Sequence, residues 1–373
     1  MRILFLSWRD LAHPLAGGSE VLVDQLAAGL TAEGHEVRLL CGGPRGERAY
    51  EVTSVGGTYS HYLQVPLRYL GSHRQADLVV DVVNGVPYLS PLWRRRPSIC
   101  LVNQLHTDLW ALWFPRPVAA FGRTFECWAL AEVYRRRLVV AVSPSTQAAL
   151  VGIGVPPGQI RIVHNGVDSH QGAPSKSAEP LFVALGRLVP HKRYDLLLTL
   201  WEQVRPLTGG RLVILGDGPE RDRLGGMAGP GVEFPGRVSE GEKRQWLESA
   251  WLLMHPSSVE GWGIVVMEAA AFETPTLGFA VPGLRDSVVD GRTGRLAADE
   301  ETFVRSWIEL SANSESRRRL GRAARARARQ MGWSDTVRQF LLVADEAVSG
   351  GRRPPDVRPA PVAAMADGAA ERP

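Results

Sequence analysis

Leu181-Phe-Val-Ala-Leu-Gly-Arg-Leu188 is an apolar run that ends in a glycine and a cation. A second apolar run, with helical spacing, follows it over residues 194–204. A buried strand followed by a helix is the repeating unit of a parallel α/β sheet. Ligands of such sheets bind beyond the carboxyl ends of the strands, so the pattern predicts Arg187 and Lys192 at a binding edge.

The same alternation of strands and helices runs through both halves of the chain. In the first half we predict a helix at residues 20–33 and strands at 2–8, 36–40, 78–83, 99–103 and 139–142. In the second half we predict helices at 194–204 and 240–249 and strands at 181–185, 211–215, 232–234 and 252–255. This α/β pattern indicates two Rossmann-like domains in tandem that face a cleft.

A segment of biased composition divides the chain. Residues 168–180 are rich in Gly, Ser, Ala and Pro, which is typical of a linker or hinge. We therefore predict one domain at 1–167 and another at 181–330, with two helices in 300–329. A further helix is predicted at 331–348. Residues 349–373 are rich in Pro, Ala and Gly without a period, so we expect them to be disordered.

Composition narrows the class of protein. An apolar content of 45% and a charged content of 22% are typical of a globular protein, and 373 residues suffice for two domains. No apolar run approaches a membrane span, and residues 1–8 form a predicted strand instead of a signal peptide, so we expect a cytoplasmic protein. The three cysteines lack metal-ligand spacing and no Asp-x-Asp occurs, so we expect no metal at the site.

Glu260-Gly-Trp-Gly-Ile-Val-Val-Met-Glu268 carries an acid at each end of a segment that contains two glycines. The glycines disfavour a helix, so Glu260 is predicted on a loop and Glu268 in a helix over 264–272. N–H groups at a helix start suit a phosphate, and carboxylates suit sugar hydroxyls. Two acids on a solvated helix face would also explain the pattern.

Cations and glycines lie near other predicted strand ends. Arg187 and Lys192 could clamp a diphosphate and stabilise it as it leaves, although surface cations would have the same pattern. Lysine is rare in this chain, occurring only at Lys176, Lys192 and Lys243. Gly17-Gly18 opens a helix after the first strand, either as a simple turn or to let a phosphate or an acceptor approach. Without Gly-x-Gly-x-x-Gly at that turn, a dehydrogenase is disfavoured.

These motifs together resemble those of the retaining glycosyltransferases of family 4, which have the two-domain GT-B fold. The resemblance extends to about Val348, because family members send a final helix back to the first domain. Its marks are Gly17-Gly18, Val142-Ser143 with Ser145-Thr146, His164-Asn-Gly-Val-Asp168, Gly186-Arg187-Leu188 with Lys192, Gly216-Asp-Gly-Pro-Glu220, Phe234 with Gly236-Arg237-Val238, and the segment from Glu260 to Glu268.

The resemblance implies an activity and a set of site residues. The first domain would bind the acceptor, and the second would bind a nucleotide-diphosphate sugar as substrate, without a cofactor. Arg187 and Lys192 would hold the diphosphate, Glu268 the ribose and Glu260 the sugar. The implied donor-site residues are Gly17, Gly18, Arg187, Lys192, Arg237, Glu260, Gly263, Ile264, Val265 and Glu268, of which Arg237 would lie near the base.

His106 completes the implied catalytic set with Arg187, Lys192 and Glu260. It follows a predicted strand, so it would lie at the carboxyl edge of the first sheet, beside the cleft. Asn103 could instead take the position of the family histidine. Asp108 could orient His106.

The acceptor and some competing functions stay open. Glycan, glycolipid and natural-product acceptors all fit, whereas nucleic acid does not. Six aromatic residues could line an apolar acceptor site or rest on the inner face of a membrane, but we expect most of them in the core: Trp110, Trp113, Phe114, Phe121, Phe125 and Trp128. A catalytically degenerate nucleotide-sugar-binding protein, or a sugar phosphorylase or epimerase on the same fold, would share the phosphate clamp.

Overall fold

A computed structural model describes residues 1–57 and 59–350 of the chain. Within these residues the polypeptide forms two parallel β-sheets flanked by helices, one from each half of the sequence. The predicted pair of Rossmann-like domains is therefore confirmed. The tail predicted to be disordered lies, from residue 351 onward, outside the described residues.

The first sheet has the strand order β3-β2-β1-β4-β5-β6-β7, and all neighbours are parallel. Its strands are β1 (Arg2–Arg9), β2 (Glu36–Gly42), β3 (Glu51–Ser54), β4 (Leu78–Val83), β5 (Ser98–Val102), β6 (Leu138–Ala141) and β7 (Ile160–Ile162). The order reverses between β1 and β4, which opens a crevice at their carboxyl ends. The loop that carries Gly17 and Gly18 leaves β1 at this crevice.

The second sheet has the order β10-β9-β8-β11-β12-β13 and is also parallel. Its strands are β8 (Leu181–Leu185), β9 (Arg211–Leu215), β10 (Val232–Gly236), β11 (Leu252–His255), β12 (Thr276–Phe279) and β13 (Gly294–Ala297). The order reverses between β8 and β11. Arg187 follows β8 and Glu260 follows β11, so both lie at the reversal point, where α/β sheets bind ligands.

Helices connect these strands. The first half contains α1 (Gly18–Ala32), α2 (His61–Arg68), α3 (Ser90–Trp93), α4 (Trp110–Trp113), α5 (Arg116–Trp128) and α6 (Pro144–Gly152), with π-helical turns at Tyr69–His73 and Ala129–Val133. The second half contains α7 (Tyr194–Thr208), α8 (Arg221–Gly226), α9 (Glu240–Ser249), α10 (Ile264–Ala271), α11 (Leu284–Ser287), α12 (Glu300–Ala312), α13 (Ser314–Ala328) and α14 (Trp333–Val348). Pro157–Gln159 and Pro190–Lys192 are 3₁₀ turns.

The last helix, α14, crosses back to the first domain and packs on α1. The rings of Phe340 in α14 and Phe5 in β1 stack with their centroids 6.0 Å apart. Glu346 accepts a hydrogen bond of 3.0 Å from Nε of Arg161 in β7. Because α14 is amphipathic and its apolar face is covered by the first domain, the crossing predicted by the family resemblance is confirmed.

The predicted linker, 168–180, is tied to the second domain by hydrogen bonds. Lys176 Nζ donates to the carbonyl of Phe272 at 2.9 Å. Arg325 in α13 donates to the carbonyls of His170 and Gly172 at 2.8 and 2.7 Å. The domain limits at 167 and 181 stay predictions, but any hinge within this segment has to break or bypass these contacts.

Candidate functional site

The glycine pair of the first domain contacts the cation of the second. A Cβ atom added to Gly17 would lie 3.1 Å from Nε of Arg187, and one added to Gly18 would lie 3.2 Å from Cδ1 of Ile264. Any side chain at either position would therefore push on the other domain. These glycines bring the start of α1 up to Arg187 and the start of α10, as expected for two halves of one site.

Lys192 and Glu260 form an ion pair beside this contact. Lys192 Nζ donates to Oε1 of Glu260, and both side chains are largely buried. His255, at the end of β11, lies with Nε2 at 3.5 Å from the same oxygen. Burial would raise the pKa of Glu260, but the charge and hydrogen bond of Lys192 lower it to about 2. Glu260 is therefore a carboxylate at neutral pH.

Glu268 lies on α10 as predicted, with a partner that sequence reasoning missed. Lys243 of α9 donates from Nζ to Oε1 of Glu268 at 2.8 Å and contacts Oε2 of Glu240 at 2.6 Å. Burial would lower the pKa of Lys243, but these two carboxylates raise it. The scarcity of lysine was the available signal, since two of the three lysines contact the paired glutamates.

The first turn of α10 faces the cleft with free backbone donors. Gly263 has a φ of +81°, a left-handed conformation that favours glycine, and it starts the helix at Ile264. The first N–H groups of a helix, here those of Ile264 and Val265, have no acceptor within the helix. This arrangement provides donors for an anion next to Arg187 and Lys192.

Arg237 reaches the first domain from the loop after β10. Its Nη1 donates to the carbonyl of Pro14 at 3.2 Å. The structure therefore places Arg237 at the mouth of the cleft, next to the loop that carries Gly17 and Gly18. Its predicted proximity to a nucleotide base stays a prediction.

Gly261 holds the Glu260 loop against the first domain. A Cβ atom at Gly261 would lie 2.0 Å from the carbonyl oxygen of Asn103, so only glycine allows this approach. Asn103 itself donates from Nδ2 to Oγ of Ser19 in α1 at 3.0 Å. Asn103 thus joins the start of α1 to the Glu260 loop. Its assignment to the position of the family histidine stays a prediction.

His106 is held by a buried acid that the sequence did not indicate. Glu126 of α5 accepts hydrogen bonds from the backbone N–H of His106 and from Nε1 of Trp110, both at 2.9 Å, and it lies 3.8 Å from Nδ1 of His106. The prediction that Asp108 orients His106 is wrong, because Asp108 is exposed and makes no such contact. Burial, and then the charge of Arg187, lower the pKa of His106 to about 4, so the imidazole is neutral at pH 7.

Several of the other predicted motifs join the two domains. Ser143 caps α6 by accepting from the N–H of Thr146 at 3.0 Å, and Ser145 N–H donates to Asp286 of α11 at 2.9 Å. The ring of His164 stacks on Trp262, with 4.6 Å between centroids.

Gly216 lies within the second domain at a position where two backbone segments approach closely. A Cβ atom at Gly216 would lie 2.0 Å from the carbonyl oxygen of Gly186, which supports a structural role for this glycine.

Two family models match this chain in succession. One is described as Glycosyltransferase Family 4 and matches residues 16–171, and the other, Glycosyl transferases group 1, matches residues 168–327. The chain belongs to glycosyltransferase family 4. The arrangement of two sheets around one cleft described above is the GT-B fold.

This glycosyltransferase is similar in sequence to several curated proteins. A D-inositol 3-phosphate glycosyltransferase from a Nocardioides species is 32% identical over 225 residues, which is 50% of this chain and 48% of that protein. The chain spans about half the length of the curated relatives it matches.

Two solved structures show the same fold at low identity. A sucrose-phosphate synthase from Thermosynechococcus elongatus superposes with a TM-score of 0.81 at 19% identity, covering 94% of this chain and 99% of that chain. Anabaena HepE, solved with UDP and glucose, superposes with a TM-score of 0.77 at 17% identity, covering 93% and 100%.

The aromatic residues of the first domain correct one expectation about this glycosyltransferase. Most of the six were expected in the core, but four are more than a third exposed: Trp113, Phe114, Phe121 and Trp128. They lie on α4, on α5 and, for Phe114, between these helices, beside exposed Leu112 and Val118. The α4–α5 surface, defined by these six side chains, is therefore an apolar patch of the kind that marks an interaction site.

Two features are absent from the described residues: a group of side chains that could bind a metal ion and a helix that could span a membrane. Among residues 1–57 and 59–350, no group of three His, Cys, Asp or Glu side chains could together hold a metal ion. In the same part of the chain, no helix combines the length and the apolar character needed to cross a bilayer.

The pKa of Glu126 predicts a pH effect on stability. Burial raises this pKa to about 7, although the hydrogen bonds from His106 and Trp110 oppose the rise. An unfolded glutamate titrates near pH ~4.3, so between these values the folded protein binds the extra proton. The free energy of unfolding should therefore fall as the pH rises from about 4.5 to 7.

Denaturant unfolding at pH 4.5 and 7.5 measures this effect, with Glu126→Gln as the comparison. The substitution places an amide donor against one of the two N–H groups, which lowers the free energy of unfolding at every pH. The quantity to compare is therefore the change in that free energy between pH 4.5 and 7.5 in each protein. Wild type should lose more stability than Glu126→Gln on going to pH 7.5. Equal losses in both proteins would show that Glu126 is ionised throughout the range.

Proposed function

We propose that the protein is a retaining, metal-independent glycosyltransferase. It moves a sugar from a nucleotide-diphosphate sugar to a hydroxyl group of a glycan, glycolipid or natural-product acceptor. The observation that carries this proposal is the meeting, in one cleft, of Arg187, Lys192 and Glu260 with the Gly17-Gly18 turn of the other domain. Family membership supports the reaction class, and the retaining outcome follows from the family resemblance.

Departure of the nucleoside diphosphate builds negative charge on its phosphate oxygens. Arg187, Lys192 and the first N–H groups of α10 would stabilise that charge in place of a metal ion. Lys192 has to contact the diphosphate while it stays near Glu260. Because Lys192 is held by an ionised carboxylate, its ammonium group is already positioned when the donor binds, which lowers the cost of orienting it.

The carboxylates would bind the sugar parts of the donor. Glu260 is ionised and partly accessible, so it can accept hydrogen bonds from sugar hydroxyls. Glu268, held by Lys243, would accept from the ribose hydroxyls. His106 is neutral at pH 7 and lies at the cleft edge of the first domain, so it can donate or accept one hydrogen bond without adding charge.

Relatives suggest which ligands to try first. The name of the Nocardioides relative points to an inositol phosphate as one acceptor, and the HepE structure contains UDP and glucose. Binding of UDP-, GDP-, dTDP- and ADP-sugars is measured by thermal shift with and without a chelator. We expect one nucleotide class to raise the melting temperature in both conditions.

Lys192→Ala and Glu268→Ala are the matched variants for this measurement, since one lies at the diphosphate position and the other at the ribose position. Both should lose the shift. A shift that disappears with chelator would contradict metal independence. No shift with any nucleotide sugar would favour a degenerate binding protein.

The α4–α5 surface supports a proposal about location. We propose that this surface rests on the anionic inner face of the cytoplasmic membrane, where a lipid-linked acceptor would be presented. Exposed Arg116 and Arg123 lie among the apolar side chains, and aromatic residues with arginines suit the interface of an anionic bilayer. On the opposite side of α5, Glu126 contacts His106, so the surface lies close to the cleft.

Vesicle sedimentation tests the membrane proposal. Wild type should bind vesicles that contain phosphatidylglycerol, and binding should weaken as salt rises. The double substitution Phe121→Ser with Trp128→Ser should weaken binding about tenfold or more, since burying one large apolar side chain contributes ~1.5–3 kcal/mol. Leu207→Ser, on exposed Leu207 of the second domain, is the control. Equal binding of the double variant and wild type would contradict the proposal.

A further inference from the structure

Arg9, at the end of β1, is a buried cation whose charge is not balanced by an ion pair. Its side chain is 6% exposed, its guanidinium lies 3.7 Å from the centre of the Trp8 ring, and Nη1 donates to the carbonyl of Leu15 at 2.6 Å. Nε has no hydrogen-bond partner within the described residues. A buried N–H group of a cation that lacks an acceptor lowers the stability of the fold. We therefore expect a bound ligand to supply the missing acceptor.

The acids nearest to Arg9 are engaged elsewhere. Asp10 pairs with Arg48 at 3.3 Å. Glu20 accepts from the N–H of Gly17 at 2.7 Å. Burial lowers the pKa of Arg9, Glu20 partly offsets that effect, and the nearby charge of Arg187 lowers the pKa further. Apart from Glu20, the charged group that acts on Arg9 is therefore a second cation, Arg187.

Three arginines surround one short loop, residues 13–17, which leads into α1. Arg9 donates to the carbonyl of Leu15 from the first domain, and Arg237 of the second domain donates to the carbonyl of Pro14 at 3.2 Å. Arg187, also of the second domain, lies against Gly17. None of the three forms an ion pair with a carboxylate of residues 1–57 or 59–350, which sets them apart from Arg48.

Like charges brought together around a helix start are stabilised by an anion. Guanidinium groups bind phosphate oxygens through paired N–H donors, and the N-terminal end of α1 adds a favourable dipole. We infer that Arg9 and Arg187 bind one phosphate group between the two domains. The ligand is a phosphate or diphosphate, carried by the donor or by an anionic acceptor.

This inference rests on the proposed function, because Arg187 is the residue assigned there to the donor diphosphate. It adds a cation from the first domain, which neither the paired glutamates nor the glycine turn indicated. A phosphate bound by both arginines would also hold the domains together, since Arg9 belongs to the first and Arg187 to the second. Closure around the substrate would then depend on the phosphate.

Isothermal titration with inorganic pyrophosphate tests the assignment. Arg9→Gln should bind pyrophosphate about tenfold or more weakly than wild type, because a hydrogen bond to a charged group contributes ~1.5–3 kcal/mol. Arg9→Lys, which keeps the charge and loses the paired donors, should fall between the two. Arg68→Gln, at an exposed position of α2, should bind as wild type does.

A measurement on wild type covers the case in which Arg9→Gln does not fold. The ¹⁵N-labelled arginine Nε–H resonance of Arg9, assigned with Arg9→Lys, should shift when pyrophosphate is added. A resonance that does not move would overturn the inference. Repeating the titration with inorganic phosphate in saturating UDP separates the sources, because a donor site would be blocked and an acceptor site would still bind.

The inference and the proposed function fail in different ways. Unchanged pyrophosphate affinity in Arg9→Gln, together with weaker binding in Lys192→Ala, would overturn the role of Arg9 and leave the donor site intact. No binding of pyrophosphate to wild type would also overturn the role of Arg9. The nucleotide-sugar measurement would then decide the proposed function independently.

Discussion

Substitution of Lys192 by methionine is expected to lower the rate of sugar transfer by about 10²- to 10³-fold, which is the effect of removing one group that stabilises developing charge. Methionine keeps much of the length and apolar stem of lysine but has no ammonium group for the departing diphosphate. The same change leaves Glu260 largely buried without its partner. Removing one member of such a pair lowers the free energy of unfolding by about 3–5 kcal/mol.

A double substitution separates these two effects. Lys192→Met with Glu260→Gln removes both charges, so it should recover most of the stability that Lys192→Met loses. It should not recover transfer. Initial rates of product formation and denaturant unfolding are measured on both variants and on wild type. A Lys192→Met protein with the wild-type rate would show that Lys192 plays no part in the reaction.

Substitution of Gly261 by alanine should lower the transfer rate by about 10²-fold while nucleotide binding stays unchanged. The added methyl would lie 2.0 Å from the carbonyl oxygen of Asn103, so the second domain has to move away from the first. A shift of ~1 Å between reacting groups can cost about that factor in rate. The φ angle of Gly261 lies outside the left-handed region, so alanine adds no backbone strain.

Gly241→Ala is the matched control, because a Cβ at Gly241 of α9 would meet no atom within 4 Å. Small-angle scattering with nucleotide bound should give a larger radius of gyration for Gly261→Ala than for Gly241→Ala. Loss of nucleotide binding in Gly261→Ala would instead place the damage in the Glu260 loop itself. Wild-type rates in Gly261→Ala would show that this contact is not needed for the reaction.

Sequence patterns were sufficient for the parts of the fold that depend on local order. The run that ends at Arg187 is β8, and the segment between the two glutamates contains the start of α10. Both could be predicted from neighbouring residues, because the spacing of apolar residues and the presence of glycine affect the backbone within a few positions. The strands β3 and β13, four residues each, were not predicted.

Contacts between distant segments could not be predicted in this way. Lys243 meets Glu268 because α9 and α10 pack together, and Gly261 meets Asn103 because the two domains lie against each other. Glu126 was hidden because an acid in an amphipathic helix is usually exposed, whereas this one turns inward to two N–H donors. The exposed aromatic residues were mistaken for core because large apolar residues usually are buried.

The most direct test of the cleft as a donor site is mass-spectrometric detection of sugar transfer in the presence of a chelator. UDP-, GDP-, dTDP- and ADP-sugars are each incubated with a mixture of acceptors that includes an inositol phosphate. One nucleotide class should be consumed as a glycosylated product forms with wild type, and the product should be nearly absent with Lys192→Met. Consumption of none of these donors, or equal product from Lys192→Met, would contradict the assignment of the site.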